Sequence, residues 1–384
     1  MRYLWSQAQA LLQTYDGRLP LTHVLRAHFK KHPALGSRDR KLLSALVYAW
    51  YRCGKGLSGT SDHQLLLQAA LFLTHTEGAT RRLLPPEWQE HTQATLEEKE
   101  SLLQGAGISF DIEKLLPAGI EFSKGIDRQS WLRSLLRQPA LFLRIRHSHR
   151  LIEDILNGHG IAFHWLEENC LSLPNGTDAD KLLPAGSFVV QDASSQKTGH
   201  FFQPEQGESW WDACCGAGGK TLLLADSGRQ LQLTASDIRP TILNNLAQRF
   251  KAFGLPLPQC RVIDAASESS INRALGNATF DGMLCDAPCS GSGTWARTPE
   301  QLYFFEPAAL AAYTQRQLTI LHHLPARLKK GGRLLYATCS VFAAENENLV
   351  AALLEMHPLR ITESRLINGI DQAADSLYVA VLEA

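Results

Sequence analysis

No apolar run in this sequence approaches the roughly 18 residues needed to cross a membrane. The opening MRYLWSQAQALLQTYDG also lacks the apolar centre of a secretory signal, so a cytoplasmic chain is expected. Cysteine is scarce: eight residues in 384, at positions 53, 170, 214, 215, 260, 285, 289 and 339, are too few for a disulfide scaffold. No CxxC pair occurs, and the adjacent Cys214-Cys215 is a poor spacing for two ligands of one zinc, so no metal is expected. There is no excess charge, with 38 basic against 38 acidic side chains, and 45% of the residues are hydrophobic. Such a chain can bury enough surface to fold, and its length suggests two or three domains. Internal repeats and low-complexity tracts are lacking as well.

What is present is unevenly placed. Residues 1–55 carry ten Lys and Arg against Asp16 and Asp39, a local charge of +8. Residues 131–150, WLRSLLRQPALFLRIRHSHR, hold five arginines and no acid. Either stretch could meet a phosphate backbone or be a solvated face balanced elsewhere, and charge alone does not choose.

Helical spacing dominates the first 75 residues. Leu42, Leu43, Leu46, Val47 and Trp50 recur on one face of RDRKLLSALVYAWYR, with Ser37 or Asp39 as N-terminal caps, and HQLLLQAALFLTH (63–75) gives another helix. LLPPEWQE and TLEEKE break the pattern, which places a loose linker over roughly 80–125 within a helical region of 1–124. Residues 125–203 alternate helix and strand signals and are expected to form a small α/β module. From 204 to 384 the texture is strand, glycine-rich turn, helix, repeated, as in a doubly wound, mostly parallel α/β sheet of Rossmann-like type.

In such a sheet, ligands bind beyond the carboxyl ends of the strands at the switch point. The first strand ends near Asp212 and runs into Cys214, Cys215, Gly216, Ala217, Gly218, Gly219 and Lys220. The glycines permit a tight turn and close backbone approach to a ligand. Asp237 follows Asp212 by 25 residues, about the spacing of a carboxylate that takes a ribose diol, and Arg239 stands beside it. Asp264 occupies the corresponding place after the third strand, where it could meet an adenine. This pattern alone leaves a nicotinamide cofactor open, although GxGxxG is not what stands here.

The fourth strand ends in Asp286-Ala287-Pro288-Cys289-Ser290-Gly291 and the fifth in Thr338-Cys339-Ser340. Neighbouring strands would bring both loops to one site. A cysteine on such a loop is accessible, and its thiolate is a strong nucleophile. Methylation of a pyrimidine at carbon 5 needs such a group. Thiolate addition at carbon 6, with an acid on ring nitrogen 3, makes carbon 5 nucleophilic toward a sulfonium methyl. The kit is one cysteine, one acid and a methyl donor, and a second thiol can assist release.

The ordered set DACCGAGGKT, DAPCSGSG, LKKGGRLLYATCS and Glu345-Asn346-Glu347, preceded by QDASSQ, resembles the RsmB/Nop/Sun family of RNA (cytosine-5) methyltransferases over residues 185–384. RDRKLLSALVYAWYR is similar to the NusB-like RNA-binding domain of the bacterial ribosomal RNA members. The resemblance implies S-adenosyl-L-methionine as cofactor, Cys339 as nucleophile, Cys289 in product release and Asp286 on the base edge. It places residues 214–220 with Asp237, Arg239, Asp264 and Asp286 around the cofactor, and it offers Arg297 as a phosphate contact. Small-subunit ribosomal RNA is the expected partner, transfer RNA the second choice, and a monomer the default. Cys215, Gly216 and Ala217 depart from the family's usual Ala-Ala-Pro, so the turn loses its proline. A non-catalytic RNA-binding assembly factor is the competing reading; it would be expected to have lost Asp286, Cys289 or Cys339, all of which are present. His200, His322 and His323 are expected to be packing or surface residues.

Overall fold

A computed structural model describes residues 2–74 and 78–384; His75, which the sequence pattern puts at a helix end, lies outside them. The chain forms two compact units that are not single stretches of sequence. One gathers Met1–Ile120, Asp127–Gln138 and Thr294–Pro307, and the other Glu121–Ile126, Pro139–Gly293 and Ala308–Ala384.

The first unit is helical, with helices Arg2–Thr14, Leu21–Lys31, Ser37–Cys53 and His63–Leu73. The stripe Leu42, Leu43, Leu46 and Val47 is buried as its spacing requires. Neither Ser37 nor Asp39 caps that helix: Gly36 is the N-cap, and Ser37 and Asp39 lie inside the first turn. Asp62 does cap the fourth helix, accepting from Gln64 N and Leu65 N at 2.9 and 3.2 Å.

The loose linker expected over 80–125 is ordered through most of its length. Trp88 is 1% exposed and stacks on Phe72 at 5.2 Å, while Leu83, Leu103, Ile108 and Leu115 are buried. The acidic run missed as a helix, Leu96–Gly105, starts with a reciprocal capping box between Thr95 and Glu98. Short strands β1 (Leu57–Ser58) and β2 (Ser109–Phe110) pair antiparallel in this unit. Helix Arg128–Leu135, read from sequence as the start of the α/β module, buries Trp131, Leu132 and Leu135 in the helical unit, with Trp131 against Trp295.

The second unit holds two sheets. The smaller one has β3 (Leu141–Ile145), β4 (His164–Glu167), β5 (Cys170–Leu173) and β6 (Phe188–Val190) in the order β4-β5-β3-β6, all antiparallel, covered by helix His149–Gly158. The larger sheet has β7 (Ser209–Asp212), β8 (Gln232–Asp237), β9 (Gln259–Val262), β10 (Phe280–Asp286), β11 (Leu328–Thr338), β12 (Arg360–Ile367) and β13 (Leu377–Glu383). Its order is β12-β13-β11-β10-β7-β8-β9, with β7 to β11 parallel and β13 running against β11 and β12. The Rossmann-like expectation therefore holds, with an antiparallel strand at one side.

Alternation along the strands fills both faces. Trp211, Met283, Cys285 and Tyr336 join one cluster, and Trp210, Leu284, Leu335 and Ala337 the other. Gly282 pairs with Trp210 across the ladder, and a Cβ there would fall 2.2 Å from the indole, so glycine is what lets the ring lie flat. Among the described residues no helix is long and apolar enough to cross a membrane.

Candidate active site

The strand order reverses at β7, which has β8 on one side and β10 on the other. The crevice at this switch point is where a ligand fits. Beyond β7 the chain turns through Gly216 (φ +49°) and Gly218 (φ +81°), and Gly218 N donates to Cys215 O at 2.8 Å. Helix Gly219–Ala225 follows. A Cβ at Gly216 would meet nothing within 4 Å, so its backbone faces open space.

Asp212 is 2% exposed, and its Oδ2 accepts from Thr221 Oγ1 at 2.6 Å. Its Oδ1 is buried without a partner in hydrogen-bond geometry. Burial pushes this carboxyl up to about 7, against the Thr221 hydrogen bond and with some help from Asp286. Asp237 at the end of β8 receives the Arg239 fork, Nε on Oδ1 at 2.9 Å and an Nη on Oδ2 at 3.0 Å. Although burial opposes its charge, Arg239 and the Gly216 amide hold this carboxyl below the usual range. Asp264 accepts from Ala266 N at 3.1 Å and has Arg316 at 3.5 Å.

Across the switch point the two cysteine loops meet. β10 and β11 pair in parallel, Asp286 opposite Ala337, and Cys289 Sγ lies 3.3 Å from Cys339 Sγ. The bond to Cys339, then burial and the charges of Cys339 and Glu345, push the Cys289 thiol well up, so it keeps its proton. Lys220 Nζ reaches Asp286 Oδ2 at 2.7 Å. Burial works against its ammonium, but Asp286 and Cys339 outweigh it and the Lys220 pKa is raised. The Lys220 ammonium is thus held on the thiol side of the site by Asp286.

Comparison with known proteins agrees with this geometry. Residues 200–377 match the family described as 16S rRNA methyltransferase RsmB/F. The chain is 31% identical over 401 residues to ribosomal RNA small subunit methyltransferase B of Yersinia pestis bv. Antiqua (strain Angola), covering 93% of this chain and 91% of that one. It belongs to the RsmB/F family of 16S rRNA methyltransferases.

Other family matches are shorter. The alignments cover 52% of the Klebsiella pneumoniae methyltransferase B (31% identical over 229 residues) and 43% of the probable Bacillus subtilis one, so the chain spans about half their length there. Among solved structures, PH0851 superposes with a TM-score of 0.71 at 22% identity, covering 94% of this chain and 93% of that one. NSun6 from Pyrococcus horikoshii, solved with SFG, gives 0.57 at 15% identity over 66% of this chain and 93% of that one. Both likenesses are of fold.

The residues singled out from sequence stand at strand ends: residues 214–220 after β7, Asp237 and Arg239 at the end of β8, Asp264 just beyond β9, Asp286 and Cys289 at and after the end of β10, and Cys339 after β11. Lys220 differs from expectation in aim, since its ammonium bonds Asp286 on the thiol side. Cys215 is buried, its thiol pushed up chiefly by burial, and it acts as packing beside Leu222 and Leu246. Cys214 lies against Cys285, and the bond between them raises the Cys285 thiol. Arg297 falls in the segment that packs with the helical unit. His200, His322 and His323 stand away from these groups, His200 beside Glu167 and His322 beside His357.

The arginine-rich stretch is largely spent on internal pairs. Arg144 and Arg146 both bond Asp226, at 2.5 and 2.8 Å, with little exposure, and Arg133 pairs with Glu97. Phosphate contacts from Arg144 and Arg146 are thereby excluded in this arrangement. Of the basic N-terminal residues, Arg52 is buried and donates to Leu135 O and Arg137 O. Arg26, Phe29, Lys30, Arg40 and Tyr48 line an open groove. Sequence reading passed over the acceptor side of the site: Glu345, Asn346 and Gln317 are all fully buried under the cysteine loops. The signal the sequence carries for the first two is the trailing Glu345-Asn346-Glu347.

Proposed function

We propose that this chain transfers a methyl group from S-adenosyl-L-methionine to carbon 5 of a cytosine in small-subunit ribosomal RNA, through a covalent bond to Cys339. The observation that carries the reading is the pair of thiols in contact, 3.3 Å apart, next to the Lys220–Asp286 ion pair at the switch point. The cofactor fits the β7–β8 side: the Gly216 backbone faces open space and Asp237 offers a carboxylate to the ribose. When bound, it supplies an electrophilic methyl group.

The chain's own residues do the rest. Cys339, as thiolate, adds through its sulfur to carbon 6 of the base. Asp286 contacts the ring-nitrogen edge, where a hydrogen bond or proton at nitrogen 3 lets carbon 5 act as a nucleophile. After methylation the carbon-5 proton is lost to solvent, and its electron pair re-forms the carbon 5–carbon 6 double bond. The carbon–sulfur pair leaves with Cys339 as thiolate, and nitrogen 3 gives up any proton it took. Cys289 at 3.3 Å is placed to donate to that thiolate. The cytosine must be out of any stack to reach this crevice, at a cost of a few kcal/mol. The groove with Arg26, Lys30 and Phe29 supports a backbone contact, so RNA affinity should fall steeply with salt.

The test is incubation with methyl-labelled S-adenosyl-L-methionine and size-fractionated RNA from cells lacking the gene, followed by digestion to nucleosides. Label in 5-methylcytidine from the small-subunit fraction is expected. Label in another nucleoside, or in transfer RNA alone, overturns the corresponding part of the proposal.

A further inference from the structure

We infer that Glu345 is a positioning residue: its buried carboxylate clasps the Cys289 loop to the Cys339 loop and so holds the two thiols in contact. For its effect on turnover the inference rests on the reaction proposed above; for its geometry it rests on the structure alone.

Glu345 is 0% exposed. Its Oε1 accepts from Ser290 N at 2.8 Å and from Gln317 Nε2 at 2.9 Å. Its Oε2 accepts from Ser290 Oγ and from Ser340 Oγ, both at 2.5 Å. Ser290 follows Cys289 and Ser340 follows Cys339, so one carboxylate grips the residue next to each thiol. Gln317 adds a third hold, because the same Nε2 donates to Pro288 O, just before Cys289, at 2.9 Å.

The clasp is itself fixed. Tyr336 Oη donates to Glu345 O at 2.6 Å. The neighbouring Asn346 accepts from Thr338 Oγ1 at 2.5 Å and donates to Ser340 O at 2.9 Å and Ser123 Oγ at 2.7 Å. Ser292 Oγ lies 3.1 Å from Ser340 Oγ, and Gly293 N donates to Cys339 O at 2.9 Å. The β10–β11 ladder stops at Asp286 and Ala337, with one further bond from Ala287 N to Ala337 O. Beyond that point sheet pairing no longer sets the distance between the loops, and side-chain bonds to Glu345 take over.

An apolar residue of similar size would remove the common acceptor of four buried hydrogen bonds, and with it the link between the two loops. Glutamine can keep the grip: its oxygen replaces Oε1, and its nitrogen donates to hydroxyls that rotate to accept. A positioning role therefore predicts rescue by glutamine and failure by alanine.

The experiment reads thiol contact directly, without RNA or cofactor. The full chain is treated with diamide, which takes two electrons and two protons as the two thiols become one disulfide, and the 289–339 linkage is quantified by peptide mapping. The native chain should link readily, since its sulfurs need close little more than 1 Å to reach bonding distance. Glu345→Gln should link within about threefold of the native rate, and Glu345→Ala about tenfold or more slowly. The double variant Ser290→Ala/Ser340→Ala should be slow too, and it decides the matter if Glu345→Ala does not fold. Equal linkage in native chain, Glu345→Ala and the double variant overturns the inference, as does absence of linkage in the native chain. In the methylation assay, Glu345→Ala should lose about 100-fold in kcat with KM for S-adenosyl-L-methionine little changed. A native chain that cross-links as described yet methylates no cytosine leaves the clasp standing and overturns the proposed reaction instead.

Discussion

The two sides of the switch-point crevice are built differently. On the β7–β8 side the shape comes from backbone: two glycines at positive φ, a 2.8 Å turn bond from Gly218 to Cys215, and a loop amide aimed at Asp237. On the β10–β11 side it comes from buried side chains, where Glu345, Gln317, Ser290 and Ser340 bond one another and leave the thiols 3.3 Å apart. Backbone geometry tolerates changes of side chain as long as the dihedrals remain available. This is why Cys215, Gly216 and Ala217 can stand where the family usually has Ala-Ala-Pro. A side-chain network tolerates far less, because each group satisfies another that is also buried.

The sharpest way to break this comparison is at the thiols. Cys339→Ala should abolish methyl transfer while S-adenosyl-L-methionine still binds, measured by calorimetry beside the nucleoside assay. Cys289→Ala should instead accumulate a protein–RNA adduct that survives a denaturing gel, and the double variant should lose it. A Cys339→Ala protein that still methylates sinks the nucleophile assignment.

A smaller effect is expected on the backbone side. Gly218→Ala forces a side chain into φ +81° with Leu246 only 3.0 Å away. We expect a loss of about 1–3 kcal/mol in stability and weaker cofactor binding, with Cys289–Cys339 cross-linking unchanged. Altered cross-linking would show that the two sides are not independent.

A pH dependence sharpens the comparison further. Asp212 is raised from near 3.8 to about 7, so between those values the folded chain binds more protons than the unfolded one. Stability from this group therefore falls as pH rises through that window and stays low above it. Asp212→Asn should melt above the native chain at about pH 8, with the gap narrowing toward about pH 5. A gap independent of pH contradicts the burial that raises this carboxyl.

Legibility followed the same division. The glycines, Asp237, Asp286 and the two cysteines could be read because each sits at a strand end, and strand–turn–helix alternation announces strand ends. Glu345 and Gln317 could not, since both sit in helical stretches whose polar residues look solvated until the fold shows what covers them. The linker was misread for a related reason. Pro85, Pro86 and an acidic run suggest solvent, but Trp88 stacks on Phe72, Leu103 is buried, and Thr95 and Glu98 form a capping box. Arg144 and Arg146 read as part of a basic stretch because Asp226, their shared partner, lies about 80 residues away.

By itself the sequence determined the doubly wound sheet, the order of its strand-end loops and which polar groups stand on them, because hydrophobic period and turn chemistry are local. Tertiary structure alone decided which charges are spent on each other, which way Lys220 points and what holds the thiols together. Those depend on burial and on partners far apart in the chain, where a polar group must find its mate once water is excluded.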